Sequence, residues 1–418
     1  MKEIIIDPKI FISPPYRKCP KCGKPDTFGT LMVNSNGFKR RCSNCWHTDS
    51  IPLPKLNKKV IYIDQFAISN MMKVLNTRTE ANKKGRVAPF YHKLFEKLDR
   101  LCKLQMIICP DSDIHLDESL MTGYFEELKR MYELLSHGVT FGNHDAIKES
   151  QLYEHALNWA SGNPEKPISL NVYDVVHGKI NDWQSRFIVS INMNFQASIE
   201  ATRGFRDCTC SEMAEVFQGW QSEKGKQFKH FLECEYKRLL EKLFYNYVGY
   251  LQGNTKMTFE DISQLYIKAI HDAFEKVGIQ EEEIWNKTME YLNSKYIKNI
   301  PFIKISALLF AAIARKAASG KKNPPGQGMS NDINVISVIL PYCNAVFIDK
   351  ECYAYLKEKP LCDEINYGTK IFSLSNKNEF FEYLDSIEKS VSEDHLLLVK
   401  QVYGDNWDKP YTSLYTGG

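Results

Sequence analysis

The sequence predicts an α/β protein in which a parallel central sheet is covered by helices, interrupted by a large α-helical insertion and preceded by a small cysteine-bearing module. Three observations carry this expectation. Two Cys-x-x-Cys pairs, Cys19 with Cys22 and Cys42 with Cys45, stand close together near the N-terminus. Apolar runs of strand length at 60–63, 106–109 and 345–348 are each soon followed by an aspartate and a helical pattern, which is how buried parallel strands and their crossover helices read. From 143 to 300 apolar residues recur at helical spacing, with no convincing strand among them.

The first element, residues 1–57, reads as a zinc ribbon. Each knuckle presents two thiolates from one tight turn, and two knuckles at the ends of a hairpin close a tetrahedral shell with no open position for substrate. The expected metal is a structural Zn2+ held by Cys19, Cys22, Cys42 and Cys45. Positive charge gathers here: residues 1–59 carry 12 Lys and Arg against 4 Asp and Glu, a balance of +8, while the rest of the chain stands at −5. Lys39, Arg40 and Arg41 run into the second knuckle between Phe38 and Trp46, a mixture of cations and aromatic faces that suits nucleic acid. A solvated basic hairpin whose aromatics cover the zinc site would read the same way.

After a proline-bearing linker at 51–54, a sheet domain is expected in two parts, 58–142 and 301–375, around the insertion at 143–300, with a helical extension at 376–418. In the first part, strand 60–63 ends at Asp64 and a helix runs to about Leu75. An amphipathic segment at 90–104 leads into strand 106–109, and a helix capped by Ser112 is expected to continue to about Leu135. In the second part, a helix from Asp332 to Leu340 precedes strand 345–348 and Asp349. Trp159, Trp183 and Trp220 either stack bases or, as their helical spacing favours, fill a core. Residues 320–328 have the composition of a mobile loop and do not form a phosphate-binding loop motif. Cys208-x-Cys210 lacks a second pair to complete a metal site.

The chain has 418 residues, 43% of them hydrophobic and 25% charged, without repeats or low-complexity tracts. That excludes disorder and solenoid architectures and implies two or three domains. No apolar run is long enough to span a bilayer and none has signal length at the N-terminus, so no membrane partner is expected. Twelve cysteines in so long a chain, four of them assigned to metal, indicate reduced thiols and a cytoplasmic protein.

In an open parallel sheet the carboxyl ends of the strands share one edge, where ligands bind. Asp64, Asp111 and Asp349 follow three such strands, Glu118 lies on the helix after the second, and Asp332 opens the helix before the third. So many carboxylates raise one another's pKa unless a cation neutralises them, and an oxygen-only site suits Mg2+ or Mn2+. The chemistry implied is phosphodiester hydrolysis, with the ion activating water and stabilising the departing oxygen. Because Asp at a strand end also caps the next helix, the signal lies in the conjunction and not in any one residue.

The segments Val60-Ile-Tyr-Ile-Asp64, Ile107-Ile-Cys-Pro-Asp-Ser112 with Glu118, and the run from Asp332 through Leu340-Pro-Tyr-Cys-Asn344 to Asp349 resemble PIN-like nucleases, over residues 58–135 and 300–375. The resemblance implies a Rossmann-like α/β/α domain whose carboxylates use Mg2+ or Mn2+ to cut RNA or DNA. On it, Asp64, Glu118, Asp332 and Asp349 take the places of the four acids, the second being contested by Asp111, Asp113 and Asp117. Asn344 stands where relatives are expected to carry Asp, which bears either on helix-to-strand packing or on an outer metal position. Ser112 and His115 are candidates to touch substrate or ion-bound water, and Lys350 to pair with a phosphate. The insertion has no counterpart in the minimal fold and is expected to dock a regulatory protein or a second copy. The competing reading is a non-catalytic nucleic-acid-binding protein within a larger assembly. A phosphatase is disfavoured, since Asp64-Gln-Phe66 lacks the Asp-x-Asp pair, and no Gly-x-Ser-x-Gly elbow or His-Glu-x-x-His helix occurs.

Overall fold

Buried and partly exposed positions alternate along the third of four short strands, β1 (Ser13–Arg17), β2 (Phe28–Val33), β3 (Gly37–Cys42) and β4 (Thr48–Pro52), which pair antiparallel in chain order. They are seen in a computed structural model that describes residues 7–35, 37–184, 213–252, 262–326 and 328–409. Cys208 and Cys210 lie outside the described residues, as do Gln327 of the expected loop and the end of the C-terminal extension.

The molecule is mixed α/β with a parallel sheet. Its strands are β5 (Lys59–Ile63), β6 (Ile107–Ile108), β9 (Ala345–Phe347) and β10 (Lys370–Phe372), in the spatial order β10-β9-β5-β6 and all parallel. A parallel bridge from Asp111 to Thr140 places β7 (Thr140–Phe141) beyond β6, and β8 (Val176–His177) pairs antiparallel with β7. The order therefore reverses between β5 and β9, where two neighbouring strands send their connections to opposite sides. A crevice opens at the carboxyl ends of strands at such a point. β7, β8 and β10 are two or three residues long and were not foreseen as strands.

Helices cover both faces. One face of the sheet, with Ile61, Ile63, Ile107, Ala345 and Phe347, shares a core with α1 (Gln65–Leu75), α2 (Phe90–Lys103) and the later helices α12 (Lys377–Lys389) and α13 (Glu393–Tyr403). The other, with Val60, Tyr62, Ile108, Val346 and Ile348, packs on α5 (His144–Ala160), α7 (Ile262–Lys276), α9 (Pro301–Ala318) and α10 (Met329–Ile339). Alternation along β5 sends successive side chains to the two cores, as a strand's two-residue period requires. Helices α6 (Phe228–Leu251) and α8 (Glu281–Leu292) complete the second layer. The segment expected as an insertion thus supplies part of one cover of the sheet, alongside α9 and α10. No described helix is long and apolar enough to cross a membrane.

The helix expected from Ser112 to Leu135 is two helices, α3 (Asp113–Leu120) and α4 (Phe125–Ser136). At the break, Thr122 Oγ1 donates to Ser119 O (2.9 Å) and accepts from the Tyr124 amide (3.1 Å), a local alternative to helical bonding, and Gly123 follows it. Helix α10 begins three residues before Asp332, which sits in its first turn. The ribbon is fastened to the sheet domain: Phe38 enters the core of the first face, and the Arg40 guanidinium donates to Gln401 O on α13.

Candidate active site

The knuckles bring the four cysteines together. Cys19 Sγ lies 3.7 Å from Cys45 Sγ and Cys22 Sγ 3.7 Å from Cys42 Sγ. A tetrahedron with zinc–sulfur bonds of ~2.3 Å has edges of about 3.8 Å, so the group can hold a metal ion such as zinc. Backbone amides point at the sulfurs: Cys22 N at Cys19 Sγ (3.5 Å), and Asn44 N and Cys45 N at Cys42 Sγ (3.3 and 3.4 Å). Such bonds favour thiolate over thiol.

At the sheet's carboxyl edge, Asp64 ends β5 and caps α1, its Oδ1 accepting from the Phe66 amide at 3.3 Å. Asp349 caps α11 (Lys350–Lys357), accepting from the amides of Glu351 (2.6 Å) and Cys352 (3.1 Å). Glu118 reaches in from α3, with Asn331 Nδ2 3.4 Å away. Burial, then the charges of Glu118 and Asp349, push Asp64 up to about 7. Burial, then Asp64, Asp349, Glu118 and Glu351, push Asp332 up to about 9. The Asp332 carboxylate has no hydrogen-bond or ion-pair partner among the described residues. All four expected acids therefore meet, joined by Glu351, at the reversal point between β5 and β9. Asp64, Glu118 and Asp332 line a cavity of about 10 Å3 with Tyr62, Ile114 and Ile348. That is room for one water or ion. Three helix N-termini, of α1, α10 and α11, add partial positive charge beside it.

Among the contested acids, Glu118 is the one at the cluster. Asp113 Oδ2 instead binds His144 Nδ1 at 2.6 Å and the His144 amide at 3.0 Å, and Asp117 neighbours that pair. Asp111 sits beside Thr140 on the far side of β6, pushed up to about 6 by burial. Helical spacing explains the choice: Ile114 and Glu118, four apart, share the face that lines the cavity, while Asp113 and Asp117 share another.

Several expected contacts fall elsewhere. Ser112 caps α3 through the His115 amide (3.3 Å) and is buried. His115 is 2% exposed and stacks between Tyr62 (4.8 Å) and Tyr132 (4.9 Å). Burial lowers its pKa to about 3, so it is a neutral core ring. Arg40, 4% exposed, is an anchor between ribbon and α13, because alternation along β3 turns it inward with Phe38 and Cys42. Lys39 and Arg41 take the outer face, where Arg41 lies over Trp46 (4.8 Å) and Phe11 (5.6 Å). Trp46 is 56% exposed. Lys350 is exposed in the first turn of α11. Asn344 is at the opposite end of β9 from the acids, its Oδ1 accepting from the Val60 amide (2.8 Å), which makes it a clasp between strands. Trp183 is buried with Nε1 donating to Pro54 O, Trp220 is buried, and Trp159 packs on Phe274 and Tyr291.

Three residues at the cluster were not anticipated. Glu351 follows Asp349 and pairs with Lys321, whose loop is also tied down by Gln221 Nε2 to Lys321 O (2.7 Å). Cys352 places its thiol among the carboxylates, and Asn331 adjoins Glu118. Helical spacing from Asp349 was an available signal for Cys352 alone, since Glu351 and Asn331 stand only two and one residues from Asp349 and Asp332. No family model, no curated protein and no solved structure matches the chain.

Proposed function

We propose that the chain is a PIN-like, metal-dependent nuclease that hydrolyses phosphodiester bonds of RNA or DNA. One observation carries the reading: Asp64, Glu118, Asp332 and Asp349, from four separate segments, meet where the strand order reverses, the first three of them lining an ion-sized cavity and Asp349 lying beside Asp332. Parallel strands between two helical layers support a Rossmann-like α/β/α domain around that site. Carboxylates pushed up to about 7 and about 9 by one another and by burial are costly to keep ionised. A divalent cation removes the cost.

The four acids would hold Mg2+ or Mn2+, which lowers the pKa of water and stabilises negative charge on the phosphoryl and leaving oxygens. The chain's own residues do the rest. Asp64 and Asp349, each fixed by a helix cap, hold their carboxylates in place without loop motion. The apolar walls of Tyr62, Ile114 and Ile348 limit the water around the acids. Lys350, beside Asp349, offers a cation to a neighbouring phosphate. In the ribbon, Lys39, Arg41 and the exposed Trp46 hold the polyanion by charge and base stacking.

The test is incubation of the purified protein with labelled single- and double-stranded RNA and DNA in Mn2+, Mg2+ or EDTA. Cleavage that needs the ion and is lost in Asp64→Asn and Asp332→Asn is expected. Binding without turnover in any metal would favour the non-catalytic nucleic-acid-binding reading.

A further inference from the structure

The cavity between Asp64, Glu118 and Asp332 offers only oxygen ligands. The other end of the cluster differs. Cys352 lies three residues past Asp349 on α11 and is 0% exposed. Its Sγ, an Asp332 oxygen and an Asp349 oxygen all lie within 4.8 Å of one another. A second sulfur adjoins it, Met329 Sδ at 3.5 Å, to which the thiol donates. Asp332, shared by both ends, has no partner of its own among the described residues.

We propose that Cys352 is a metal ligand, forming with Asp332 and Asp349 a mixed sulfur–oxygen position that selects Mn2+ or Zn2+ over Mg2+. The proposal deepens the nuclease reading and rests on it for the ion at the acid cluster. Mg2+ is a hard ion that wants oxygen at 2.0–2.1 Å in near-ideal octahedral geometry and gives up water reluctantly, so a buried sulfur is a poor neighbour for it. Zn2+ accepts sulfur at ~2.3 Å together with carboxylate oxygen, and Mn2+ tolerates both better than Mg2+ does. On binding, the Cys352 thiol releases its proton to solvent as the sulfur–metal bond forms, so charge and atoms balance without an oxidant. A thiol that merely filled the core would be indifferent to the ion.

The 418-residue chain with zinc already in its ribbon is titrated calorimetrically with Mg2+, Mn2+ and Zn2+, alongside Cys352→Ser and Asp332→Asn. A second measurement follows the sulfur-to-metal charge-transfer absorption when Co2+ is added. Cys352→Ser is expected to weaken Zn2+ by about tenfold or more and to leave Mg2+ nearly unchanged. Wild type is expected to show a Co2+ band beyond the ribbon's, and both variants to lack it. Equal Zn2+ affinity in wild type and Cys352→Ser, with loss in Asp332→Asn, would overturn the thiolate ligand and leave the carboxylate site standing. Absence of any binding that depends on Asp332 would overturn both. If Cys352→Ser does not fold, the Co2+ band of wild type against Asp332→Asn decides, and its absence from wild type refutes the inference.

Discussion

In the ribbon, four thiolates come from two turns between Cys19 and Cys45, and backbone amides hold them at the spacing a tetrahedral ion needs. At the sheet edge, four carboxylates come from segments spread from Asp64 to Asp349, and what holds them is the fold itself: two helix caps, a helix face and a first turn. The first cluster is local and closed. The second is assembled by topology, crowded with like charge and open to an ion-sized cavity. A closed thiolate shell contributes to folding, whereas a strained carboxylate cluster costs stability and retains reactivity. The contrast separates the two roles proposed for the chain.

The largest effect on stability is expected at the ribbon. Cys42→Ser should lower bound zinc by one per chain by atomic absorption and melt the ribbon, since structural zinc is worth roughly 10 kcal/mol or more. Because Phe38 and Arg40 tie the ribbon to the sheet domain, the melting temperature of the whole chain should fall as well. A fully folded, zinc-free variant would break the comparison on that side.

The carboxylates should behave in the opposite way. Asp64 and Asp332 have folded-state values of about 7 and about 9 against a reference of 3.8. Without metal, the folded chain binds more protons than the unfolded chain between these limits. Stability from these groups is therefore present at low pH and falls as pH rises from about 4 towards about 9. At pH 8, Asp332→Asn should raise the melting temperature of the metal-free protein by about 2–4 °C, while Mn2+ should stabilise wild type and not the variant. A lower melting temperature in Asp332→Asn would mean that the carboxylate is a structural partner.

The smallest effect concerns substrate capture. Trp46→Ala and Arg41→Ala should weaken binding of single-stranded nucleic acid by about 1–3 kcal/mol for the stacking residue, and Arg41→Ala should reduce the salt slope by about one. Arg40→Ala should instead destabilise the fold, since its guanidinium is buried against α13. Unchanged binding in the first two variants, measured by fluorescence anisotropy, would remove the ribbon from the substrate path.

The clusters also differ in how much of them the sequence discloses. The four-cysteine shell is visible because its residues and spacing are local. In the basic run beside it, only the two-residue period of β3 separates Arg40 from Lys39 and Arg41, and that period was there to be read. Asp64 and Asp349 are visible because continuous apolar strands precede them. The choice of Glu118 over Asp113 and Asp117 was decidable from its helical register with Ile114. Cys352 was hidden among eight cysteines outside the knuckles, although it lies one helical turn past Asp349. β7 and β10 are too short for any pattern to show, and the covering role of the helical segment depends on tertiary packing that periodicity does not encode.

The most direct test compares two acids a few residues apart. Glu118→Gln and Asp113→Asn are assayed for Mn2+-dependent cleavage beside Asp332→Asn, with circular dichroism to establish that each is folded. Glu118→Gln and Asp332→Asn should lose cleavage by roughly a thousandfold, as several kcal/mol of transition-state stabilisation disappears, and Asp113→Asn should stay within about threefold of wild type. Cleavage that survives in both cluster variants, or that falls equally in Asp113→Asn, would contradict the assignment of the sheet-edge carboxylates as the catalytic centre.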